Sequence, residues 1–380
     1  MPKPDQQLRI QAVTDRRQLK SFIRLPWSLY KADPNWVPPL LFELEQRLST
    51  KKNPFFAHAR WQAWTAWRGD ILVGRISAQV DELYPRYHAE QVGYFGMLEA
   101  EDDPAIFSAL LETAETWLKE QGISKIQGPF NLSINEECGL LIDGFDTPPS
   151  IMMGHAHPYY AQHIETASYE KAKDLIAYTI APDFEAPRVM QKLAERAARN
   201  VSIRPLRRKH LQQELDILQD LFNDAWSKNW GFVPFTDAEF KEVGQMLTLL
   251  VDDDFVQIAE LDGQPVAMIA AMPNINEIIG DLNGRLLPAG WLKLLWRLKV
   301  GYPHSARVAL MGVRRELQHT RLGPTLAFMV IDAVRKGLIR KGIREVELSW
   351  ILEDNKGMRN IIETIGGKAY KRYRIYQKPL

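Results

Sequence analysis

The chain has 380 residues, with 48 basic and 47 acidic side chains and 46% hydrophobic residues. This composition excludes a disordered chain and a strongly basic nucleic-acid-binding protein. At roughly 150 residues per domain, the length predicts two domains. The balanced total hides a difference, because residues 1–190 carry 19 basic and 25 acidic side chains, whereas residues 191–380 carry 29 and 22.

The sequence gives no sign of export, membrane insertion or metal binding. Its single cysteine, Cys138, forms neither an internal disulfide nor, alone, a cysteine-based zinc site, which is typical of a reducing compartment. The first ten residues lack an apolar core, and no apolar run reaches the roughly 18 residues of a membrane-spanning helix. His155 and His157 lack an evident third ligand, so we predict no metal site. The single cysteine and the lack of export and membrane signals together predict a cytoplasmic protein.

The first half of the chain predicts strands and helices in a mixed order. Residues 8–13 alternate like a strand, and Asp15 precedes a helical pattern as a cap. Residues 59–80 predict two strands joined by a hairpin turn at residues 68–70, and residues 91–99 predict a third. The later predictions are a helix from Pro104, a strand at 124–130, a helix at 159–167 and a strand at 174–180.

The second half repeats this order of predicted elements. At an offset of 198 residues, residues 163–166 resemble 361–364, Lys173 matches Lys371 and Tyr178 matches Tyr376. We predict a duplication with domains at residues 1–181 and 201–380 and a connecting segment at 182–200. The alternative is a pair of unrelated α+β domains.

The strongest local signal is a strand, a polar loop and a helix start at residues 308–326. The helix begins near Gly323 and Pro324, and a helix start offers free backbone N–H groups and a positive dipole end, which suit a phosphate. This segment resembles the GNAT superfamily of acyl-CoA N-acyltransferases, whose Gln/Arg-x-x-Gly-x-Gly/Ala loop holds the pyrophosphate of coenzyme A. Gln318 and Gly323 fit the first and last positions, whereas Arg321 replaces the first glycine.

The order of elements in residues 201–380 also resembles a GNAT domain, with Asn355 before a short helix. The resemblance implies an α+β (α/β) fold of two tandem GNAT-like domains, each a mixed, mostly antiparallel twisted sheet flanked by helices. If the family's first glycine needs a positive φ, Arg321 carries a conformational cost. The resemblance implies a site for acetyl-CoA or a longer acyl-CoA at Met311, Val313, Gln318, Arg321, Gly323, Pro324, Thr325 and Asn355. A generic helix start with a structural glycine is the alternative.

The first half resembles a GNAT domain more faintly. Its corresponding loop carries Glu99, Glu101, Asp102 and Asp103 before Pro104, and four carboxylates repel a pyrophosphate. We therefore predict that the first domain does not bind coenzyme A and has a structural or substrate-binding role. Two transferase sites in one chain are the alternative.

The resemblance implies that an amine attacks the acyl thioester directly, with an oxyanion donor from a backbone N–H at Val313 or its neighbours. The strand at residues 307–312 contains no carboxylate, so the catalytic groups must come from elsewhere. The candidates are Glu347, Asp354, Asn135 and Glu136. The alternatives are a surface carboxylate for Glu347, a helix cap for Asp354 and a capping motif for the loop of Asn135 and Glu136.

A basic, apolar insertion precedes this strand. Residues 282–345 contain 13 basic and three acidic side chains. From Leu286 to Val300, Trp291 and Trp296 stand beside lysine and arginine at helical spacing, which is typical of a helix on an anionic membrane surface. The alternative is a helix packed on the core with its basic side chains outward.

Together these features predict an acyltransferase that moves an acetyl or longer acyl group from acyl-CoA to an amine of a small molecule or lipid. One alternative is a long-chain lipid N-acyltransferase of the ceramide-synthase type at the inner face of the membrane. The other is a catalytically inactive acyl-CoA sensor or scaffold. We expect neither a nucleic-acid partner nor a metal.

Overall fold

The computed structural model describes residues 7–380, without the side chains of residues 246–249. Residues 1–6, part of the segment in which no signal peptide is predicted, lie outside the described residues. The chain forms two compact units. The first contains the chain up to Leu175, Ile279–Gly290 and Lys371–Leu380, and the second contains Ile176–Ile278 and Trp291–Tyr370. These units differ from the predicted ranges 1–181 and 201–380, whose boundaries stay a prediction.

The elements of the first half alternate between short strands and helices. Asp15 caps the first helix as predicted, because its side chain accepts a hydrogen bond from Gln18 N at 2.8 Å. The elements are β1 Leu8–Ala12, α1 Arg16–Arg24, α2 Pro26–Leu29, α3 Leu41–Arg47, β2 Ala59–Arg68, β3 Ile71–Asp81, β4 Val92–Ala100, α4 Pro104–Glu120, β5 Lys125–Gly128, β6 Phe130–Asn131, β7 Glu137–Cys138, β8 Leu140–Asp143, α5 Tyr159–Thr166 and β9 Glu170–Ile180.

The second half has the same strand order with additional helices. One of these, after β10, was not predicted from the sequence and covers Asp237–Leu250. The elements are α6 Arg188–Ala197, β10 Val201–Pro205, α7 Leu211–Trp226, α8 Asp237–Leu250, β11 Val256–Leu261, β12 Gln264–Pro273, α9 Asn276–Ile279, α10 Gly290–Val300, β13 Ser305–Val313, α11 Arg315–Gln318, α12 Leu322–Arg340, β14 Glu345–Leu352, α13 Lys356–Thr364 and β15 Lys368–Pro379.

The sheet of the first unit runs in the order β1-β2-β3-β4-β5. Strands β1 to β4 pair antiparallel, whereas β4 and β5 are parallel, with Val92 opposite Lys125. The C-terminal part of β15 pairs antiparallel with β5, so that Tyr376 lies opposite Gly128. The last strand of the chain therefore belongs to the sheet of the first unit.

The sheet of the second unit repeats this arrangement. Strands β10 to β13 are antiparallel, and β13 is parallel to β14, with Ser305 opposite Glu345. The end of β9, from Ile176 onward, belongs to this unit and lies beside β14. The prediction of mixed, mostly antiparallel sheets flanked by helices is confirmed.

The two repeats exchange one strand each, and a repeated hydrogen bond marks the exchange. Tyr178 of β9 donates to Glu363 of α13 at 2.9 Å in the second unit. Tyr376 of β15 donates to Glu165 of α5 at 2.9 Å in the first unit. Both pairs of residues are related by the offset of 198 positions that the sequence shows. The same tyrosine therefore contacts the same helix position, with the strand supplied by the other half of the sequence.

Candidate functional site

A cavity of about 750 Å³ opens in the second unit where β13 and β14 separate. The parallel pairing of the two strands ends at Val308 and Leu348, which both line the cavity. Helices α7, α12 and α13 supply its other walls. The deep wall is apolar and includes Val308, Ala327, Ile331, Val334, Leu338, Leu348, Ile362 and Ile365. Its size and apolar lining are typical of a small-molecule or cofactor site.

Helix α12 forms the longest wall of the cavity. Five of its lining residues are spaced three or four positions apart and occupy one helical face: Gly323, Ala327, Ile331, Val334 and Leu338. Pro324 and Arg335 of the same helix also line the cavity. Because an α-helix rises 1.5 Å per residue, the apolar face is about 22 Å long. This length exceeds the roughly 15 Å of hydrocarbon in one membrane leaflet, half of a bilayer core.

The N-terminus of α12 is open at the mouth of the cavity. The N-cap residue Arg321 makes no side-chain cap hydrogen bond, whereas Thr320 Oγ1 accepts one from Leu322 N at 3.2 Å. Pro324 and Arg321 are exposed at this helix start. The N-cap residue Arg321 has φ of −64°, in the right-handed helical region. The expected cost of a non-glycine residue at this position is therefore absent, and its guanidinium adds positive charge where the helix dipole is positive.

Gln318 and Gly323, the two matching positions of the loop motif, shape the loop from within. The Gln318 amide donates to Val313 O at 2.9 Å and to Ala225 O at 2.8 Å. A Cβ on Gly323 would lie 2.5 Å from Leu317 O, so only glycine fits where α12 passes the preceding turn. The motif thus fixes the backbone at the end of β13.

Trp226 holds the edge of β13 beside the cavity and was not singled out from the sequence. Its indole N–H donates to Met311 O at 3.1 Å, and its ring packs edge-on against Trp350 at 5.8 Å. Gly312 leaves room for this helix, since a Cβ there would lie 2.8 Å from Ala225 Cβ. The sequence carries no local signal for this role, because Trp226 lies 85 residues from Met311.

Three other predicted residues have different positions from those expected. Thr325 is buried outside the cavity lining, and its hydroxyl donates to Arg321 O at 3.3 Å. Asn355 lines the cavity and is the N-cap of α13, accepting a hydrogen bond from Met358 N at 3.1 Å. The alternative that Asp354 caps this helix is therefore wrong. Asp354 is exposed and also lines the cavity.

Glu347 is buried, with only 4% of its surface exposed, so the alternative of a surface carboxylate is wrong. Its carboxylate accepts hydrogen bonds from the hydroxyls of Ser349 and Tyr370. Arg307 lies 3.8 Å from this carboxylate and donates to Ser349 Oγ at 2.8 Å. A buried charge is retained only with such partners, and the cluster supplies a cation and two hydroxyl donors.

Ser349 connects this cluster to the cavity. Side chains alternate along a strand, and the neighbours Val346 and Leu348 line the cavity while Glu347 does not. Ser349 shares the face of Glu347, yet it lines the cavity because it follows the last residue of the parallel pairing. Sequence reasoning missed Ser349, although its position two residues after Glu347 places both on one strand face.

Asn135 and Glu136 lie in the first unit and are absent from the lining of the cavity. Glu136 accepts a hydrogen bond from Arg47 Nε at 2.6 Å, and Glu137 lies 3.4 Å from the same guanidinium. Burial raises the pKa of Glu136 to about 7, against the opposing effect of Arg47. These contacts describe a half-buried ion cluster around Arg47. A catalytic role of Asn135 or Glu136 stays a prediction.

The carboxylates of the corresponding loop in the first unit are engaged within that unit. Asp103 caps α4 by accepting a hydrogen bond from Ala105 N at 2.8 Å, and it pairs with Arg68 at 2.5 Å. Glu99 is nearly buried and accepts hydrogen bonds from Tyr30 and Tyr160. This helix start therefore already has an anion of its own.

Across residues 7–380, no group of three or more histidine, cysteine, aspartate or glutamate side chains is arranged to hold a metal ion. Cys138 is buried, with its Sγ 3.9 Å from Ile134 O. Among the helices of the described chain, none combines the length and apolar character needed to cross a bilayer.

Two related proteins match almost the whole chain, whereas no protein-family model matches it. The protein YghO of Escherichia coli (strain K12) is 50% identical over 372 residues, which cover 98% of this chain and 95% of YghO. The bacterial ceramide synthase of Caulobacter vibrioides (strain NA1000 / CB15N) is 46% identical over 365 residues, which cover 96% of this chain and 95% of that protein.

Solved structures with low sequence identity share the fold. A tandem GNAT protein from the clavulanic acid biosynthesis pathway matches 98% of both chains, with a TM-score of 0.57 and 13% identity. The GCN5-related glucosamine N-acetyltransferase region of a fungal multidomain β-N-acetylglucosaminidase matches with a TM-score of 0.59 and 14% identity. This match covers 98% of the present chain and 38% of the fungal protein. The chain therefore belongs to the family of the Caulobacter bacterial ceramide synthase and YghO, and it has the tandem GNAT acyltransferase fold.

Proposed function

We propose that the protein transfers a long-chain acyl group from acyl-CoA to the amine of a lipid, and that the second unit carries the reaction. The observation that carries this proposal is the apolar cavity, which is lined by a face of α12 about 22 Å long. We propose that this wall holds the acyl chain in addition to the pantetheine arm. The relative named bacterial ceramide synthase, at 46% identity, supports a lipid acceptor.

Binding of acyl-CoA is proposed at the open start of α12. The backbone N–H groups of this helix start and the exposed Arg321 suit the pyrophosphate, with Pro324 beside them. Gln318, Gly323 and Thr325 support the loop by their contacts. Met311, Val313 and Asn355 line the route from this mouth into the cavity and suit the pantetheine arm.

Proton transfer is proposed through Ser349 to Glu347. A thioester supplies an activated carbonyl, to which the amine nitrogen adds; the C–N bond forms as the C–S bond breaks. The proton of the amine passes through the Ser349 hydroxyl to the Glu347 carboxylate, and the thiolate takes a proton from water at the mouth. Arg307 and Tyr370 hold the carboxylate in place. A backbone N–H of β13 at Val313 or its neighbours stabilises the oxyanion, and Asp354 is the second candidate base.

The test is transfer by the purified protein from acyl-CoA donors of increasing chain length to a long-chain amine. We expect long-chain donors to be preferred over acetyl-CoA, because the cavity buries their hydrocarbon. Val334→Phe narrows the deep part of the cavity and should reduce long-chain transfer roughly tenfold more than acetyl transfer.

Val330→Phe is the matched control, because Val330 is an equally buried valine of α12 that does not line the cavity. This variant should lower stability without changing the preference for chain length. Acyl-CoA binding without turnover for any amine would instead assign the protein as a sensor. Absence of acyl-CoA binding in calorimetry would overturn the proposal as a whole.

A lipid amine reaches the protein from a membrane, so the proposal also places the chain in peripheral contact with the inner membrane face. The segment from Leu286 to Val300 is the proposed contact, with the rest of the protein in the cytoplasm. Large exposed apolar side chains in this segment support it.

A further inference from the structure

Helix α10 exposes the side chains that a water-soluble helix normally buries. None of its residues is buried. Its exposed large apolar side chains are Trp291 at 44%, Leu292 at 54%, Leu295 at 47%, Trp296 at 61% and Val300 at 67% exposure. Of its large apolar side chains, only Leu294 and Leu298, which share the other helix face, are half-buried. An apolar face of this kind marks an interaction site.

The apolar face of α10 is combined with positive charge. Lys293 and Lys299 are exposed, and the half-buried Arg297 belongs to the same helix. No aspartate or glutamate occurs between Asp281 and Glu316, so this part of the sequence has an excess of basic residues. Tryptophan and basic residues together are typical of helices that lie at a bilayer interface, where the indole reaches headgroup level.

We infer that α10 docks the protein on an anionic lipid surface, with Leu292, Leu295 and Trp296 inserted among the acyl chains. Lys293 and Lys299 then contact the phosphate groups of the lipids. The partner is a bilayer with anionic headgroups because the helix offers both an apolar face and an excess of cations. This inference names the membrane partner of the proposed function, but the docking itself does not require acyl transfer.

Flotation of the full-length protein with vesicles tests the inference. We expect binding to phosphatidylcholine vesicles that contain phosphatidylglycerol, weak binding to phosphatidylcholine alone, and release by salt. Trp291→Ala/Trp296→Ala should weaken binding by roughly tenfold or more, since two interfacial indoles are lost. Lys293→Gln and Lys299→Gln should each weaken it about fivefold, and only on anionic vesicles.

The matched control is Phe42→Ala/Ile71→Ala, which removes two side chains of 64% and 65% exposure elsewhere in the chain. This control should float like the wild type, which separates insertion of α10 from a general loss of exposed apolar surface. Equal flotation of the tryptophan variant and the wild type would overturn the inference. It would also be overturned if the protein failed to float and the tryptophan variant dissociated a dimer, because α10 would then contact a second copy.

Transfer from long-chain acyl-CoA to a long-chain amine by the wild-type protein is measured separately, without vesicles. Failure of that transfer with intact flotation would count against the proposed function alone. Failure of flotation with intact transfer would count against the docking of α10 alone.

Discussion

The two units have the same strand order, but they differ in the space beside the fourth strand of each sheet. In the first unit, a Cβ on Gly96 would lie 1.8 Å from Phe130 O, so backbone fills this space. The Asn131 side chain also accepts a hydrogen bond there from the backbone N–H of Met97, at 2.8 Å. In the second unit, β13 and β14 separate around the cavity instead.

The helix that follows differs in the same sense. Asp103, the N-cap residue of α4, caps that helix with its carboxylate. Arg321, the N-cap residue of α12, makes no side-chain cap hydrogen bond. The two units thus share one arrangement of strands but differ at this place. In the first unit the space is filled and a carboxylate caps the helix, whereas in the second a cavity opens and an arginine lies at the helix start. Since both units have the same strand order, the cavity depends on whether the loop after the fourth strand fills the space beside that strand.

The largest expected effect comes from Glu347→Gln. This variant tests whether the carboxylate beside Arg307 in the second unit has a function that a carboxylate beside an arginine in the first unit lacks. Loss of the base should reduce transfer by about 10²–10⁴-fold. The amide oxygen of the glutamine can still accept a hydrogen bond from one of the two hydroxyls, Ser349 or Tyr370, and its NH2 group can donate to the other. Steady-state rates of transfer from a long-chain acyl-CoA provide the measurement. Glu99→Gln, beside Arg75 in the first unit, is the control and should leave transfer unchanged. An equal loss in this variant would contradict a specific role of Glu347.

A smaller effect is expected from Arg321→Asp, which gives α12 the kind of cap that α4 has. The carboxylate should stabilise the helix start but weaken acyl-CoA binding by about 1–2 kcal/mol, or roughly tenfold, because it opposes the pyrophosphate. Isothermal titration calorimetry measures the affinity, and thermal unfolding shows whether the fold is kept. Arg321→Gln should show a smaller loss, and unchanged affinity in Arg321→Asp would place the phosphate elsewhere.

The smallest effect concerns stability and the cluster around Arg47. Since the pKa of Glu136 is about 7 in the folded chain, against 4.5 as its usual value, the folded chain keeps this proton after the unfolded chain has lost it. The stability that this group contributes is therefore full below pH 4.5 and is lost as the pH rises through 7. The thermal unfolding temperature should fall less steeply from pH 5 to pH 8 in Glu136→Gln than in the wild type. Parallel profiles would contradict the raised pKa.

The sequence predicted the order of the main strands and a helix start near Gly323 and Pro324, which line the cavity, but it missed α8. Alternating strands, hairpin turns and the helix start at Gly323 are local patterns, so periodicity and turn chemistry were sufficient to find them. The offset of 198 residues correctly related the strand tyrosines, Tyr178 and Tyr376. The acyl-CoA contacts of this loop stay predictions, although Gln318 and Gly323 show why the motif shapes its backbone.

Other features depended on contacts that no local pattern carries. The burial of Glu347 requires Arg307, which lies 40 residues earlier in the chain, so the carboxylate resembled a surface residue. Trp226 contacts Met311 across 85 residues. The φ of Arg321, −64°, is not specified by the motif, which left a positive value as a condition. Strand alternation in residues 368–379 indicates a strand but does not specify which sheet receives it.

That last strand has a consequence for how the protein behaves when its chain is cut. A protease that cleaves between β9 and β10 divides the sequence into its two repeats, yet neither fragment then owns a complete sheet. The N-terminal fragment lacks the strand that follows β5, and the C-terminal fragment lacks the strand beside β14. Each fragment holds the piece that the other needs, so nicked protein stays together as a complementing pair. The two repeats therefore cannot be separated as independent domains, because removing one repeat leaves the sheet of the other without one of its strands.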